Sequence, residues 1–315
     1  MKIKIYAHRG ARGLAPENTL PAFKKAIDLK SDAVDMDVNM TKDHVVVVTH
    51  HLTLNPLITR DQNGRWIDAN EAVCIKDLTF EQLQQYDVGR INPNTYYAHQ
   101  FSQQVAIDGT HISSLKQVIQ YLKKYAQYPV RFQIEVKTDP SHPERTHTPE
   151  DLAKEIVNII REEKIEDRTE IQAFDWRVLK NIQLAQTKIE TAYLTDPRIS
   201  NDMTSANPVI AGLWSDNQLL KQYKNSIPYM IAQLGGNIWG PNFQELTADR
   251  IQEAHKNGLK VITWTVNDPA DMQLMRNFGV DGIITDYPNI LAKILKRNVL
   301  NPKTLIHRVS TFLMR

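Results

Sequence analysis

Apolar and polar residues alternate from the first positions of the chain. Ile3, Ile5 and Ala7 face one way and Lys2, Lys4 and Tyr6 the other, the two-residue period of a strand, which stops at His8-Arg9-Gly10. The same period returns over 33–40, where Val34, Met36 and Val38 share one side and Asp35, Asp37 and Asn39 the other. Over 130–137, Val130, Phe132, Ile134 and Val136 oppose Arg131, Gln133, Glu135 and Lys137. Between these strands apolar residues recur at helical spacing, at Leu20, Phe23, Ala26 and Ile27 and again at Leu115, Val118, Ile119 and Leu122. Asn18 or Thr19 is placed to cap the first helix, and Glu17 and Asn18 read as turn and capping residues. Further strands are predicted over 170–174, 190–194, 237–240, 260–266 and 282–285, with helices over 152–162, 177–185, 215–234, 249–257 and 270–278. Eight strands, each followed by a helix, predict a single α/β domain over 1–301, a (β/α)8 TIM barrel.

Three stretches need their own account. The run Thr41-Lys42-Asp43-His44 leads into Val45-Val46-Val47-Val48-Thr49 and His50-His51, a hairpin with Asp43-His44 as its turn pair. Counting outward from that pair sets Asp37 across from His50, while His51 points away to an exposed or supporting position. From 52 to 114 the apolar period fails and turn formers are dense, as in Asp61-Gln62-Asn63-Gly64 and Ile91-Asn92-Pro93-Asn94. This predicts a small inserted segment with one short helix over 79–86. The tail, 302–315, sets Leu305, Ile306, Val309, Phe312 and Leu313 at helical spacing beside Lys303, Arg308 and Arg315, with no acidic residue. It suits a closing helix packed on the barrel or on a second subunit and, less well, a peripheral contact with an anionic membrane.

Composition removes several classes of function. A net charge of +2 over 315 residues argues against a nucleic-acid partner, and the single cysteine, Cys74, excludes an intrachain disulfide or a thiolate metal cluster. No apolar run approaches the roughly 20 residues of a membrane span, and the amino terminus enters a strand with no signal-peptide core, so a cytoplasmic protein is expected. In a parallel barrel the reacting groups gather at the carboxyl ends of the strands. Here those ends carry His8 and Arg9, Asp35 and Asp37, His50, Glu135 and Lys137, and Trp264. Two carboxylates on one side of a strand repel each other unless a cation lies between them. Trp264 reads equally well as core packing and as a wall of the substrate pocket.

In order along the chain, AHRGARGLAPENTLPAF, DMDVNMTKDHVVVVTHH, FQIEVKT, VITWTVND and GVDGIITDYPN resemble the glycerophosphodiester phosphodiesterase family, and IKDLTFEQLQQYDVG resembles its inserted segment. The resemblance spans essentially the whole barrel. It implies hydrolysis of small glycerophosphodiesters to glycerol 3-phosphate and an alcohol. His8 and His50 would do acid-base work, Asp35, Asp37 and Glu135 would hold a divalent cation, and Arg9 and Lys137 would face the phosphate. Three positions depart from the family's usual residues: Asp35 stands for Glu, His51 for Asp and His44 for Gly. The first bears on reach to the metal, the second on the orientation of His50, the third on the turn.

Elementary chemistry points the same way. A phosphodiester is a stable anion, so its hydrolysis needs charge neutralised, a nucleophile deprotonated and the leaving alkoxide protonated. Three carboxylates suit a hard cation, Mg²⁺ or Ca²⁺, better than zinc. The nucleophile of the first step is either the glycerol's own hydroxyl, giving a cyclic phosphate, or water. Two other readings stand beside this one: a phospholipase D-like or lysophospholipase D-like enzyme acting on lipids, and a binding barrel that has lost catalysis. A mere binder has no need of two opposed proton carriers.

Overall fold

The computed structural model describes residues 2–185, 188–196 and 213–297; the 302–315 tail lies outside them. The strands are β1 (Lys4–Ala7), β2 (Ala33–Met40), β3 (Val46–Val48), β4 (Arg131–Val136), β5 (Thr169–Ala173), β6 (Glu190–Thr195), β7 (Ile238–Pro241), β8 (Lys260–Thr263) and β9 (Gly282–Thr285). Eight of them pair in parallel in the order β1-β9-β8-β7-β6-β5-β4-β2, and β1 also pairs with β2 through Tyr6 opposite Ala33, so the sheet closes into the expected barrel. β3 is antiparallel to β2 and lies outside the ring.

Strand parity decides what goes where. Val34, Met36, Val38, Phe132, Ile134 and Val136 point outward into the main core. They meet the apolar stripes of α1 (Leu20–Asp28), and, after α2 (Phe80–Leu83) and α3 (Tyr96–Gln100) in the inserted segment, of α4 (Leu115–Tyr125) and α5 (Pro149–Glu162). The outer layer continues with α6 (Trp176–Leu184), α7 (Ile227–Gln233), α8 (Ala248–Lys256), α9 (Pro269–Phe278) and α10 (Pro288–Ile294). The opposite parity faces the barrel axis, where Tyr6, Ala33, Ala192, Ile238, Ile262 and Ile284 form a small apolar plug. At the amino-terminal ends of the strands this inner side turns ionic: Arg131 reaches Glu170 at 2.8 Å and Glu190 at 3.0 Å, and Lys260 reaches Glu190 at 2.5 Å. At the carboxyl ends it carries the polar residues described below.

Three local expectations change. The hairpin pairs Val38 with Val48, Asn39 with Val47 and Met40 with Val46, so its register is one residue away from the one that sets Asp37 against His50. The loop has three residues, not two: the Thr41 and Val45 backbones bond at 3.0 Å around Lys42, Asp43 and His44, with His44 in the left-handed region at φ 59. The helix expected over 215–234 is broken, because Lys224 and Asn225 both adopt positive φ between a single 3-10 turn, Leu220–Tyr223, and α7. In the inserted segment α2 is shorter than expected, fixed by the Thr79–Gln82 capping box, and α3 is an addition. Leu54, Ile67, Ile75, Leu78, Leu83, Val88 and Ile112 give the segment a small core of its own with Val47 of β3. No helix among the described residues is long and apolar enough to cross a membrane.

Candidate active site

β1 delivers His8 and Arg9 through a sharp turn. Arg9 has φ 50 and Gly10 φ 90, and a Cβ on Gly10 would stand 2.6 Å from that of Ala22, so glycine is required where the turn passes α1. His8 Nδ1 lies 2.7 Å from Asp286 Oδ1, just past β9, and Arg12 grips the same carboxylate with Nε and Nη2, each at 2.8 Å. Burial alone would raise the Asp286 carboxyl, but Arg12 and His8 hold it well below the usual range. Asp286 is therefore ionised and accepts a hydrogen bond from the Nδ1–H of His8, which assigns the free lone pair of the ring to Nε2. Burial lowers the His8 pKa; Asp286 opposes that shift and Arg12 adds to it.

Beside them β2 and β4 bring Asp35, Asp37, Glu135 and Lys137 to the same mouth, with Asp35 paired to Gln133 and Asp37 to Glu135 in the sheet register. Lys137 Nζ contacts Glu135 and stands 3.0 Å from Asp37 Oδ1, while Arg9 Nε stands 3.1 Å from Asp37 Oδ2. Asp37 is held well below the ordinary range because Lys137 and Arg9 outweigh its burial. Among the described residues Asp35 makes no ion pair. It accepts 2.6 Å from Gln172 Nε2 and 3.2 Å from the Arg9 amide, and burial followed by the charges of Asp37 and Glu135 raises its pKa well above normal.

His50 arrives by a different route. Pairing of β3 ends at Val48, and Asn39 Nδ2 then holds the Thr49 carbonyl at 2.8 Å, so the chain bends inward and His50 joins the pocket despite the shifted register. Burial, Lys137 and Arg9 drive its pKa well down. His51 is exposed, and its Nδ1 lies 3.4 Å from His50 Nδ1 and 3.3 Å from Asn55 Nδ2. Trp264 is half-buried, donates 2.9 Å to the Gly240 carbonyl and stands edge-on to Phe174 at 5.5 Å. It packs on Phe174 and also lines the pocket. The resulting pocket, about 160 Å³, is lined by His8, Arg9, Asp35, His50, Glu135 and Lys137 together with Arg12, Gln172 and Trp264.

The three carboxylates fit a hard cation by donor chemistry. Among the described residues Asp35 is a buried carboxylate without an ion-pair partner, and Asp37 Oδ1 is buried with the Lys137 ammonium as its neighbour. Among the described residues no three His, Cys, Asp or Glu side chains stand in a ligating arrangement, and the Lys137 ammonium lies between Asp37 and Glu135.

Several residues of this site are not the ones the sequence marks. Thr19 caps α1, whereas Glu17 and Asn18 do not. Asn18 donates to Asp37 at 2.8 Å and accepts its backbone amide, and Glu17 accepts from Arg9 at 2.8 Å and from the Tyr97 hydroxyl. Arg12, Tyr97, Gln172 and Asp286 are further additions. Only Asp286 had a sequence signal, an acid closing the last strand.

The chain matches the model of the glycerophosphoryl diester phosphodiesterase family over residues 8–290. Bacillus subtilis YhdW is 30% identical over 92% of this chain and 96% of its own length. The glycerophosphodiester phosphodiesterase of Caldanaerobacter subterraneus is 26% identical over 94% of this chain and 99% of its own. A crystal structure from Silicibacter pomeroyi superposes with a TM-score of 0.83 at 31% identity, covering 93% of each chain. An Oleispira antarctica phosphodiesterase in complex with the product sn-glycerol-3-phosphate shares the fold at a TM-score of 0.67 and 19% identity, over 93% of this chain and 96% of its own. The closed barrel, the pocket at its carboxyl mouth and these matches place the chain in the glycerophosphodiester phosphodiesterase family, as a phosphodiester hydrolase.

Proposed function

We propose that the pocket hydrolyses glycerophosphodiesters to glycerol 3-phosphate with His8 and His50 as proton carriers and with a divalent cation held by Asp35, Asp37 and Glu135. The observation that carries this reading is the convergence of two imidazoles, the Asp35 and Glu135 carboxylates and the Arg9 and Lys137 cations on one small pocket, with Asp37 paired to both cations and His8 fixed in the tautomer that leaves Nε2 free. Held by Asp35, Asp37 and Glu135, a divalent cation would supply positive charge to the phosphate and would offset the repulsion among the three carboxylates. Arg9, already planar against Asp37 and Glu17, orients the phosphoryl group, and Lys137 adds a point charge on its other side. His8 Nε2 accepts the proton of the attacking hydroxyl; the negative charge of the bound diester offsets Lys137 and Arg9, so that His50 takes up a proton and supplies it to the departing alkoxide, and the two exchange roles when a cyclic intermediate is opened by water. The solved Oleispira antarctica phosphodiesterase, which holds sn-glycerol-3-phosphate, supports the choice of product. The test is turnover of glycerophosphocholine and glycerophosphoethanolamine with and without chelator. Activity is expected to vanish in chelator and in Glu135→Gln, and His8→Ala and His50→Ala should each lower kcat by at least about 10²-fold, with a double variant far short of the product of the two. Full turnover in excess chelator would remove the cation from this account.

A further inference from the structure

A second cleft, about 360 Å³, opens beside the pocket and shares His50, Glu135, Lys137 and Phe174 with it. Trp214, Leu52 and Val136 give it apolar walls, and Arg145 stands on it from the 3-10 turn Pro143–Arg145, in the loop that follows β4. Arg145 is half-buried, and among the described residues its guanidinium makes no ion pair or side-chain hydrogen bond. It also borders a narrow recess with Lys76, Lys137 and His147. Glu135, the carboxylate on the cleft, is already contacted by Lys137. Among the described residues the cleft therefore presents uncompensated positive charge. A choline or ethanolamine ammonium entering here would find no free carboxylate among the described residues and would face a guanidinium, whereas an anionic group would meet the fork geometry that arginine offers to carboxylate and phosphate. We infer that this cleft seats the leaving alcohol and selects diesters whose alcohol carries its own negative charge, a carboxylate or a second phosphate, with Arg145 as the pairing cation. The inference rests on the assignment of the neighbouring pocket to phosphodiester cleavage.

Glycerophosphoserine and glycerophosphoethanolamine differ by one carboxylate and so form a matched test; bis(glycerophospho)glycerol supplies the second phosphate and a lysophospholipid the acyl chain. Expected is a kcat/KM preference of about 10-fold or more for an anionic head over the ethanolamine head, with the faster of the serine and bis-phosphate substrates naming the source of the charge. In Arg145→Gln that ratio should fall toward one, and Arg145→Lys should keep part of it, both variants melting as the wild type does. Equal rates for all heads, or a preference for ethanolamine, overturns the inference. So does an Arg145→Gln variant that slows every substrate equally, since the guanidinium would then act on the scissile phosphate or on the fold. Preferred turnover of the lysophospholipid, insensitive to Arg145, assigns the cleft to an acyl chain and also overturns it. Absence of turnover on any diester would strike the hydrolytic reading instead. Calorimetric binding of the serine and ethanolamine diesters then decides, with an Arg145-dependent preference for serine supporting the subsite and its absence ending it.

Discussion

Asp286 holds His8 by Nδ1 and receives two nitrogens of Arg12 and the amide of Asn267, so one fully buried carboxylate fixes both the tautomer of a proton carrier and the position of a cation. Asp286→Asn keeps the shape and removes the charge. Because burial lowers the His8 pKa and Asp286 raises it, the variant should move the acid limb of kcat/KM to lower pH and cut kcat by about 10²-fold. A limb that moves upward would remove Asp286 from the control of His8. Stability follows the same charge. The folded pKa of Asp286 is depressed, so its contribution is present above the unfolded value of about 4 and lost as pH falls. The variant should lose about 3 kcal/mol at neutral pH, with Arg12 left unpaired, and lose less than the wild type on acidification. At this scale the sequence was legible wherever charged residues filled the alternate side of a strand whose two faces are both covered, as at Asp35, Asp37, Glu135 and Lys137. It was silent on Arg12 and Tyr97 because their roles arise from partners 274 and 80 residues away in the chain, Asp286 and Glu17.

Among the elements, α3 shows how an inserted segment reaches the chemistry. The Tyr97 hydroxyl donates to Glu17 and accepts from Arg12 Nη1 at 3.2 Å, Phe101 lies under the Arg12 guanidinium at 4.5 Å, and Gln104 bonds the Arg12 carbonyl at 2.7 Å. Glu17 in turn holds Arg9. One short helix, with the residues just after it, thus braces the loop that carries both His8 and Arg9. Tyr97→Phe removes the brace and keeps the ring that packs on Phe101 at 4.8 Å. It should raise KM, and the inhibition constant of inorganic phosphate, by about 10-fold through a loosened Arg9, with a smaller change in kcat. A fall in melting temperature with KM unchanged would reduce α3 to packing. Helices with a regular apolar stripe, such as α4 and α5, were readable from spacing. α3 has five residues, too few for a period, and the β2–β3 register turned on whether His44 belonged to a two- or a three-residue loop, which spacing does not resolve.

Across the whole molecule the two faces of the barrel divide the work. The carboxyl face gathers charges at close quarters, whereas the amino-terminal face uses charge to close the ring, a division expected of this fold. Eight strands were legible because each repeats an apolar side facing the helices. The ionic closure was not, since Arg131, Glu170, Glu190 and Lys260 look like solvated strand positions until the barrel brings them together. Arg297, following α10, belongs to this closing set. It pairs with Asp32, donates to the Ile3 carbonyl, and shares Asp32 with the Ile5 amide at 2.7 Å, so it ties α10 to the starts of β1 and β2. Its side chain is 15% exposed, so solvent screens the pair only in part. Arg297→Ala should cost about 2 kcal/mol, the range of charge-assisted hydrogen bonds, and lower the melting temperature by roughly 4 °C in a domain of this size. Turnover at temperatures where the variant is folded should match the wild type, because the reacting groups lie at the other face. Calorimetry and kcat/KM on one preparation check both halves: an unchanged melting temperature removes Arg297 from the closure, and a loss of turnover in the folded protein shows that the two faces are mechanically coupled.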